Sequence, residues 1–260
     1  MPDVLRKLID DARNRIQSGY YNLDQDAEHE IVSFKRAIKS AERNAIIGEI
    51  KPISLARGPL RPQIDPVDAA TQMANGGSIA LSILTEPDNF GGSLENLRKV
   101  RDHVSLPLLM KDIIIHEKQI EAGRKAGADC VLLIESAFSK YPIASLNRLI
   151  RYVHESNLEV LLEAHTEDEF QRALKSEADI IGVNNRNLST LETDLNTTLR
   201  LMVHVESELQ GDKVIISESG FESAEDIRKV KSARVDGFLI GSSLMLSQDL
   251  ERKVREFVLA

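Results

Sequence analysis

Six times along this chain an apolar run closes on a polar or charged residue: NAIIGEIKPIS (residues 44–54) at Glu49 and Lys51, LPLLMKD at Lys111, EVLLEAH at Glu163, IIGVNNRN at Asn184 and Arg186, KVIISESG at Glu218 and Ser219, and GFLIGSS at Gly241 and Ser242. Successive residues of a strand face opposite ways, so Glu49 and Lys51 share one face and Ile50 takes the other. The same count pairs Leu109 with Lys111, Leu161 with Glu163 and Ile216 with Glu218. Each charge follows an apolar residue on its own face. If that face lines the inside of a closed sheet, the charges meet at its mouth.

The stretches between these runs have helical spacing with readable starts and stops. Asp65-Pro66 is an N-cap with proline at the first helical position, and Gly76-Gly77 end that helix after Asn75. Thr166 and Glu169 stand at capping-box spacing, Ser223 and Asp226 at a similar one, and Ser247 precedes the last helix, DLERKVREFVL. With SIALSILTE and CVLLIES as further strands, eight strand-helix units follow residue 44, at about 27 residues each. Uniformly apolar strands alternating with helices predict a parallel sheet covered by helices, and eight units predict a closed (β/α)8 barrel, the TIM-barrel architecture of the α/β class. An open doubly wound sheet is the alternative, but no GxGxxG follows the first strand. Right-handed crossovers bring every strand's C-terminal end to one face, where barrels of this kind carry their active sites.

Residues 1–43 stand outside the repeat. Val4, Leu5, Leu8, Ile9, Ala12 and Ile16 form a one-sided helical stripe, and a second helix is predicted over 31–43. They read as an extension across one end of a single domain spanning residues 1–260.

Composition adds exclusions. At 42% hydrophobic and 28% charged, the chain has material for a substantial core and no signature of disorder. No apolar run approaches the roughly 20 residues of a membrane helix, and the first residues show no signal-peptide pattern, so neither membrane nor export is expected. The single cysteine, Cys130, has no intrachain partner, which fits a reducing cytoplasm. A net charge of −8 argues against nucleic acid as a partner and requires any anionic ligand to be held by local cations.

Glu49, Lys51, Lys111, Glu163 and Glu218 are thus placed to form a network of ammonium and carboxylate groups, the equipment of general acid-base catalysis. The competing reading is a structural salt-bridge cluster, since ion-pair networks also perturb titration. After the last two strands, Ser219-Gly220 and Gly241-Ser242-Ser243 offer backbone N–H groups to a phosphate, at the pair of loops where barrels commonly hold one. Glycine merely permitting a tight turn is the plainer account. Phe90 is an aromatic platform or loop packing, and Arg186 a ligand clamp or a surface residue. The six histidines form no metal-ligand pattern; His165 reads as a loop-lining or capping residue.

IIGEIKPIS, SILTEPDNFGGS, LLMKDIII, LLEAHTEDE, IGVNNRNLSTLETD, VIISESGF and FLIGSSLM, in this order, closely resemble the indole-3-glycerol-phosphate synthase family of tryptophan biosynthesis, over essentially the whole chain. The resemblance implies a lyase that closes an indole ring on 1-(2-carboxyphenylamino)-1-deoxyribulose 5-phosphate with loss of CO2 and water, using no metal and no cofactor. It implies Lys111 as the general acid at the substrate carbonyl and Glu163 as a partner in the dehydration. Glu49, Lys51, Asn184, Glu218 and Ser219 would complete the polar site. Phosphate would fall to Lys51, Gly220, Gly241 and Ser242, and the anthranilate end to Ser54, Phe90, Arg186 and Leu188, with Leu239 among the substrate contacts. Monomers are common in the family. The chain departs from it at Ser54-Leu55-Ala56, where serine-proline-serine is usual, and at Pro52, often a basic position; these leave open the first loop's shape and any contact from residue 56. Two other functions fit the barrel: a Schiff-base aldolase on a phosphorylated sugar with Lys51 or Lys111 as nucleophile, and a catalytically silent barrel subunit.

Overall fold

The computed structural model describes residues 3–27, 29–188, 190–203, 205 and 213–260. Helices α1 (Val4–Ser18) and α2 (Phe34–Lys39) precede eight parallel strands. These are β1 (Ala45–Ile50), β2 (Ala80–Leu84), β3 (Leu108–Lys111), β4 (Cys130–Ile134), β5 (Glu159–Ala164), β6 (Ile180–Asn184), β7 (Val214–Glu218) and β8 (Gly237–Ile240). Each pairs with the next, and β8 closes on β1, Ala45 beside Gly237, to complete a barrel. The (β/α)8 expectation holds.

The period-two pattern decides which side chains fill the barrel. Ile47, Leu109, Leu132, Leu161, Ile216 and Leu239 belong to one buried cluster, inside the ring, while Ile46, Met110, Val131, Leu162 and Ile215 belong to the other, under the helices. Burying each such side chain contributes about 1.5–3 kcal/mol, so a slip of one residue, which would exchange the two sets, is strongly disfavoured.

After β1 a short hairpin pairs Ile53–Ser54 with Gly58–Pro59. The outer layer comprises α3 (Pro66–Gly76), α4 (Pro87–Phe90), α5 (Leu94–Arg101), α6 (Glu117–Lys125), α7 (Glu135–Lys140), α8 (Leu146–Glu155), α9 (Glu167–Leu174), α10 (Asn196–Met202), α11 (Ala224–Lys231), α12 (Ser242–Met245) and α13 (Leu250–Val258). The caps form where the sequence places them. Asp65 accepts from Val67 N and Asp68 N, and Gly77 ends α3 at φ 99°. Both capping boxes are complete, at Thr166/Glu169 and Ser223/Asp226. Asp249 rather than Ser247 caps α13, and α4, α7 and α12 are short helices the sequence pattern does not resolve from loops.

The extension departs most from expectation: it reaches both ends of the barrel. Leu8 of α1 lines the cavity at the strands' C-terminal ends. The chain then descends the flank, where Ala27 N bonds Lys125 O. At the opposite end Val32 N donates to Asp129 Oδ1 and Lys35 N to Glu159 Oε2, seating α2 beside the starts of β4 and β5 with Phe34 fully buried. The fifteen residues from Gly19 to Ser33 make this possible, because an extended chain gains about 3.3 Å per residue and a barrel strand of six residues spans only about 20 Å. The second helix is correspondingly six residues long rather than the predicted thirteen, the rest serving as connection. Among the described residues no helix is long and apolar enough to cross a membrane.

Candidate active site

The strands' C-terminal ends open into a cavity of about 450 Å³. All fifteen residues singled out from the sequence line it: Glu49, Lys51 and Ser54; Phe90; Lys111; Glu163; Asn184, Arg186 and Leu188; Glu218, Ser219 and Gly220; Leu239, Gly241 and Ser242. Glu49, Lys111, Glu163 and Glu218 reach one place because each follows an inward apolar residue at the same end of a parallel strand, while Ser54, Phe90 and Leu188 come from the segments that follow β1, β2 and β6.

Two ion-pair clusters stand in it. Lys51 Nζ donates to Glu49 Oε2 at 2.5 Å. Lys111 Nζ donates to Glu163 Oε2 at 3.2 Å and lies 3.3 Å from Glu218 Oε2. Asn184 Nδ2 donates to Glu163 Oε1 at 2.9 Å, and its Oδ1 accepts from Arg186 N, so Asn184 orients the carboxylate while its own amide is fixed. Both Glu218 oxygens are buried without an aligned hydrogen-bond donor among the described residues; Lys111 offers charge but not bond geometry.

The electrostatics follow. Burial pushes the Glu218 carboxyl up to about 8; Lys111 pulls against this, and the charges of Glu163 and Glu49 add to it. Burial also penalises the Lys111 cation, but Glu218, Glu163 and Glu49 outweigh that, and Lys111 holds its proton more tightly than an ordinary lysine. For Glu49, burial opposes ionisation and the two lysines overcome it, leaving its pKa below the ordinary carboxylate value. The cluster therefore favours a protonated lysine and an ionised Glu49, and delays the ionisation of Glu218.

Two glycines make the room. A Cβ at Gly182 would lie 1.9 Å from Glu218 Oε1, and one at Gly241 would lie 2.2 Å from Glu49 Oε2. The space they leave is occupied by carboxylate.

Beyond β7 the backbone is unusual. Ser219 sits at φ 68° and Gly220 at φ 93°, two successive left-handed residues. Such a conformation costs a serine about 1–3 kcal/mol and persists only where its surroundings impose it. Here Asn185 imposes it: its Nδ2 donates to Ser217 Oγ and to the Glu218 and Ser219 carbonyls, and Thr198 N and Oγ1 donate to its Oδ1.

Apolar walls come from Leu8, Leu55, Ile113, Leu132, Ile134 and Leu188, and Ala56 also reaches the cavity. Arg57 of the first loop pairs with Glu222 beyond β7, both at the cavity rim. Arg186 is half-buried and donates to Leu191 O at 2.6 Å; burial, then the neighbouring Arg57, lowers its pKa. His165 Nδ1 meets Asn184 O at 2.7 Å, behind the site. Leu8, Glu86, Asp112, Asn185 and Glu222 were not identified from sequence. Leu8 was visible only as one member of a stripe, and nothing in a stripe says what it covers.

The family model described as indole-3-glycerol phosphate synthase matches residues 4–257. A protein of that name from Polaromonas naphthalenivorans is 37% identical over 96% of both chains. One from Methanocaldococcus jannaschii is 40% identical over 96% of this chain and 92% of its own, and one from Aquifex aeolicus is 41% identical over 88% and 86%. Among solved structures, a thiamine phosphate pyrophosphorylase from Pyrococcus furiosus superposes with a TM-score of 0.60 at 14% identity, covering 86% of this chain and 96% of that one, a likeness of fold.

Proposed function

Because the chain belongs to the indole-3-glycerol phosphate synthase family, we propose that the cavity described above is where it closes the indole ring, with Lys111 as the proton donor. The reaction is that of a carboxy-lyase of tryptophan biosynthesis. The ring carbon bearing the carboxylate attacks C2 of the deoxyribulose, and the carbonyl electron pair moves to oxygen, which takes a proton from the Lys111 ammonium. CO2 then leaves, its bonding pair restoring the aromatic ring. Finally the C2 hydroxyl departs as water while C1 loses a proton. No electron is left over, so the chemistry calls for no redox cofactor.

The observation that carries this assignment is the position of Lys111 Nζ, inside the cavity and shared between Glu163 and Glu218. An alkoxide forming at the carbonyl is basic enough to take a proton even from a tightly held ammonium. Glu163, hydrogen-bonded to both Lys111 and Asn184, is placed to move protons in the dehydration. Lys51 and the backbone around Gly220, Gly241 and Ser242 receive the phosphate. Support for this comes from their meeting on one wall of the cavity, where Lys51, Gly220, Gly241 and Ser242 all line it. Arg186 answers the anthranilate carboxylate, and Ser54, Phe90, Leu188 and Leu239 line the ring. One chain supplies all of these groups, in keeping with a monomer.

A Schiff-base aldolase is disfavoured by the same lysine. Such a nucleophile must shed its proton, and the carboxylates around Lys111 oppose that. The test supplies the anilino-ribulose phosphate and follows indole fluorescence, with borohydride added in a parallel sample. Product without a trapped adduct is expected, and Glu163→Gln should lower kcat by about 100-fold or more. A borohydride-trapped lysine adduct without indole product would contradict the reading.

A further inference from the structure

Outside the reacting cluster lies a second buried polar network, at the seam between α1 and the barrel. Arg15 is its centre, buried although charged. Its Nη1 donates to Glu86 Oε1 and to Asp88 Oδ2, both at 2.6 Å, its Nε to the Tyr21 hydroxyl at 3.2 Å, and its Nη2 lies 3.7 Å from Asp112 Oδ1. The side chains of Glu86 and Asp112 are fully enclosed. Taking three charges out of water is costly, and an isolated surface helix needs only its apolar stripe to dock. The position of these carboxylates suggests what the network does.

Asp112 directly follows Lys111. The pairing of β3 with β4 ends at Met110, so on that side the backbone at Lys111 lies past the ladder. What fixes the next residue is its own carboxylate, which accepts from Thr85 Oγ1 at 2.7 Å, from Ile113 N at 2.7 Å and from the Tyr21 hydroxyl at 3.2 Å. Glu86 caps α4, accepting from Asn89 N at 2.8 Å and Phe90 N at 3.0 Å. One guanidinium thus ties down the residue after the proton donor and the turn that presents the aromatic wall.

We propose that Arg15, with Tyr21, is a positioning residue for ring closure, holding the end of β3 that carries Lys111 and the helical turn α4 that carries Phe90 by way of Asp112 and Glu86. The proposal rests on the reading of Lys111 as the acid. Removing the guanidinium leaves two enclosed carboxylates without their shared counter-charge. They then repel each other or draw in water, and either response moves the ends of β2 and β3.

Arg15→Met, Tyr21→Phe, the double variant and Lys111→Ala are assayed with the anilino-ribulose phosphate, well below each melting temperature and with folding checked by circular dichroism. Arg15→Met is expected to lower kcat by about 10- to 100-fold, the effect of misplacing a reacting group by about 1 Å, and to raise KM through Phe90. Tyr21→Phe should lower kcat several-fold. The double variant should fall no further than Arg15→Met, because both act through Asp112. A folded Arg15→Met with wild-type kcat and KM and only a lower melting temperature would overturn the proposal. If Arg15→Met does not fold, Tyr21→Phe decides in the same way. Lys111→Ala separates the two claims: its inactivity beside unaffected Arg15 and Tyr21 variants sinks only the positioning role, whereas an active Lys111→Ala sinks the acid assignment itself.

Discussion

Glu218 is the residue whose state most affects its neighbours. Neutral below about pH 8, it spares Lys111 one of three surrounding negative charges. Once it ionises, Lys111 parts with its proton less readily, so kcat/KM should decline as pH rises through about 8, and Glu218→Gln should flatten that limb. The same group affects folding. Its pKa is higher in the native state than the ordinary 4.5, so the native chain binds the extra proton and stability falls as pH climbs from about 4.5 to 8. Asp112 and Asp236, also raised, act in the same sense, so Glu218→Gln should remove part of the slope in urea midpoints and not all of it. At Gly182, alanine would put a methyl group into the space of the Glu218 carboxylate. Gly182→Ala is expected to fold and to lose about 100-fold in kcat, measured by indole fluorescence, because the displaced carboxylate no longer stands beside Lys111. These charged positions were legible in the sequence because a period of two leaves only two faces. The glycines beside them were not, since what a glycine makes room for is contributed by another strand.

At the level of elements, the turn after β7 joins a strained backbone to a polar anchor. Asn185 contributes nothing to the cavity surface, but its amide holds the Glu218 and Ser219 carbonyls. Asn185→Ala should relax Ser219 toward negative φ and raise KM for the phosphorylated substrate more than it lowers kcat, read from steady-state kinetics with circular dichroism as a fold control. The SESG motif marks this loop in the sequence, and of the two asparagines of the NNR motif only Asn184 is singled out there, Asn185 not. They differ because adjacent residues at a strand's end face opposite ways: Asn184 points into the cavity and Asn185 into the loop scaffold. Helix α7 was missed for a related reason, because CVLLIES runs into ESAFSK with no turn residue to mark the end of the strand.

Over the whole molecule, the repeat of eight units and its inward and outward faces could be read from one sequence, but the course of residues 1–43 could not. An amphipathic stripe says that a helix is covered on one side and not by which surface, so an extension that touches both ends of the barrel is indistinguishable from one that caps a single end. The two ends now predict different behaviour. Phe34 fills space at the end remote from the cavity, so Phe34→Ala should cost about 3–5 kcal/mol in denaturant unfolding while leaving kcat and KM unchanged at temperatures where the variant is folded. The central claim is that the enclosed ammonium of Lys111 protonates the carbonyl as the ring closes, and the rate of indole formation by Lys111→Ala tests it most directly. A folded variant whose kcat falls by about 100-fold or more is the predicted result; a folded variant that turns over the anilino-ribulose phosphate at the wild-type rate would contradict it.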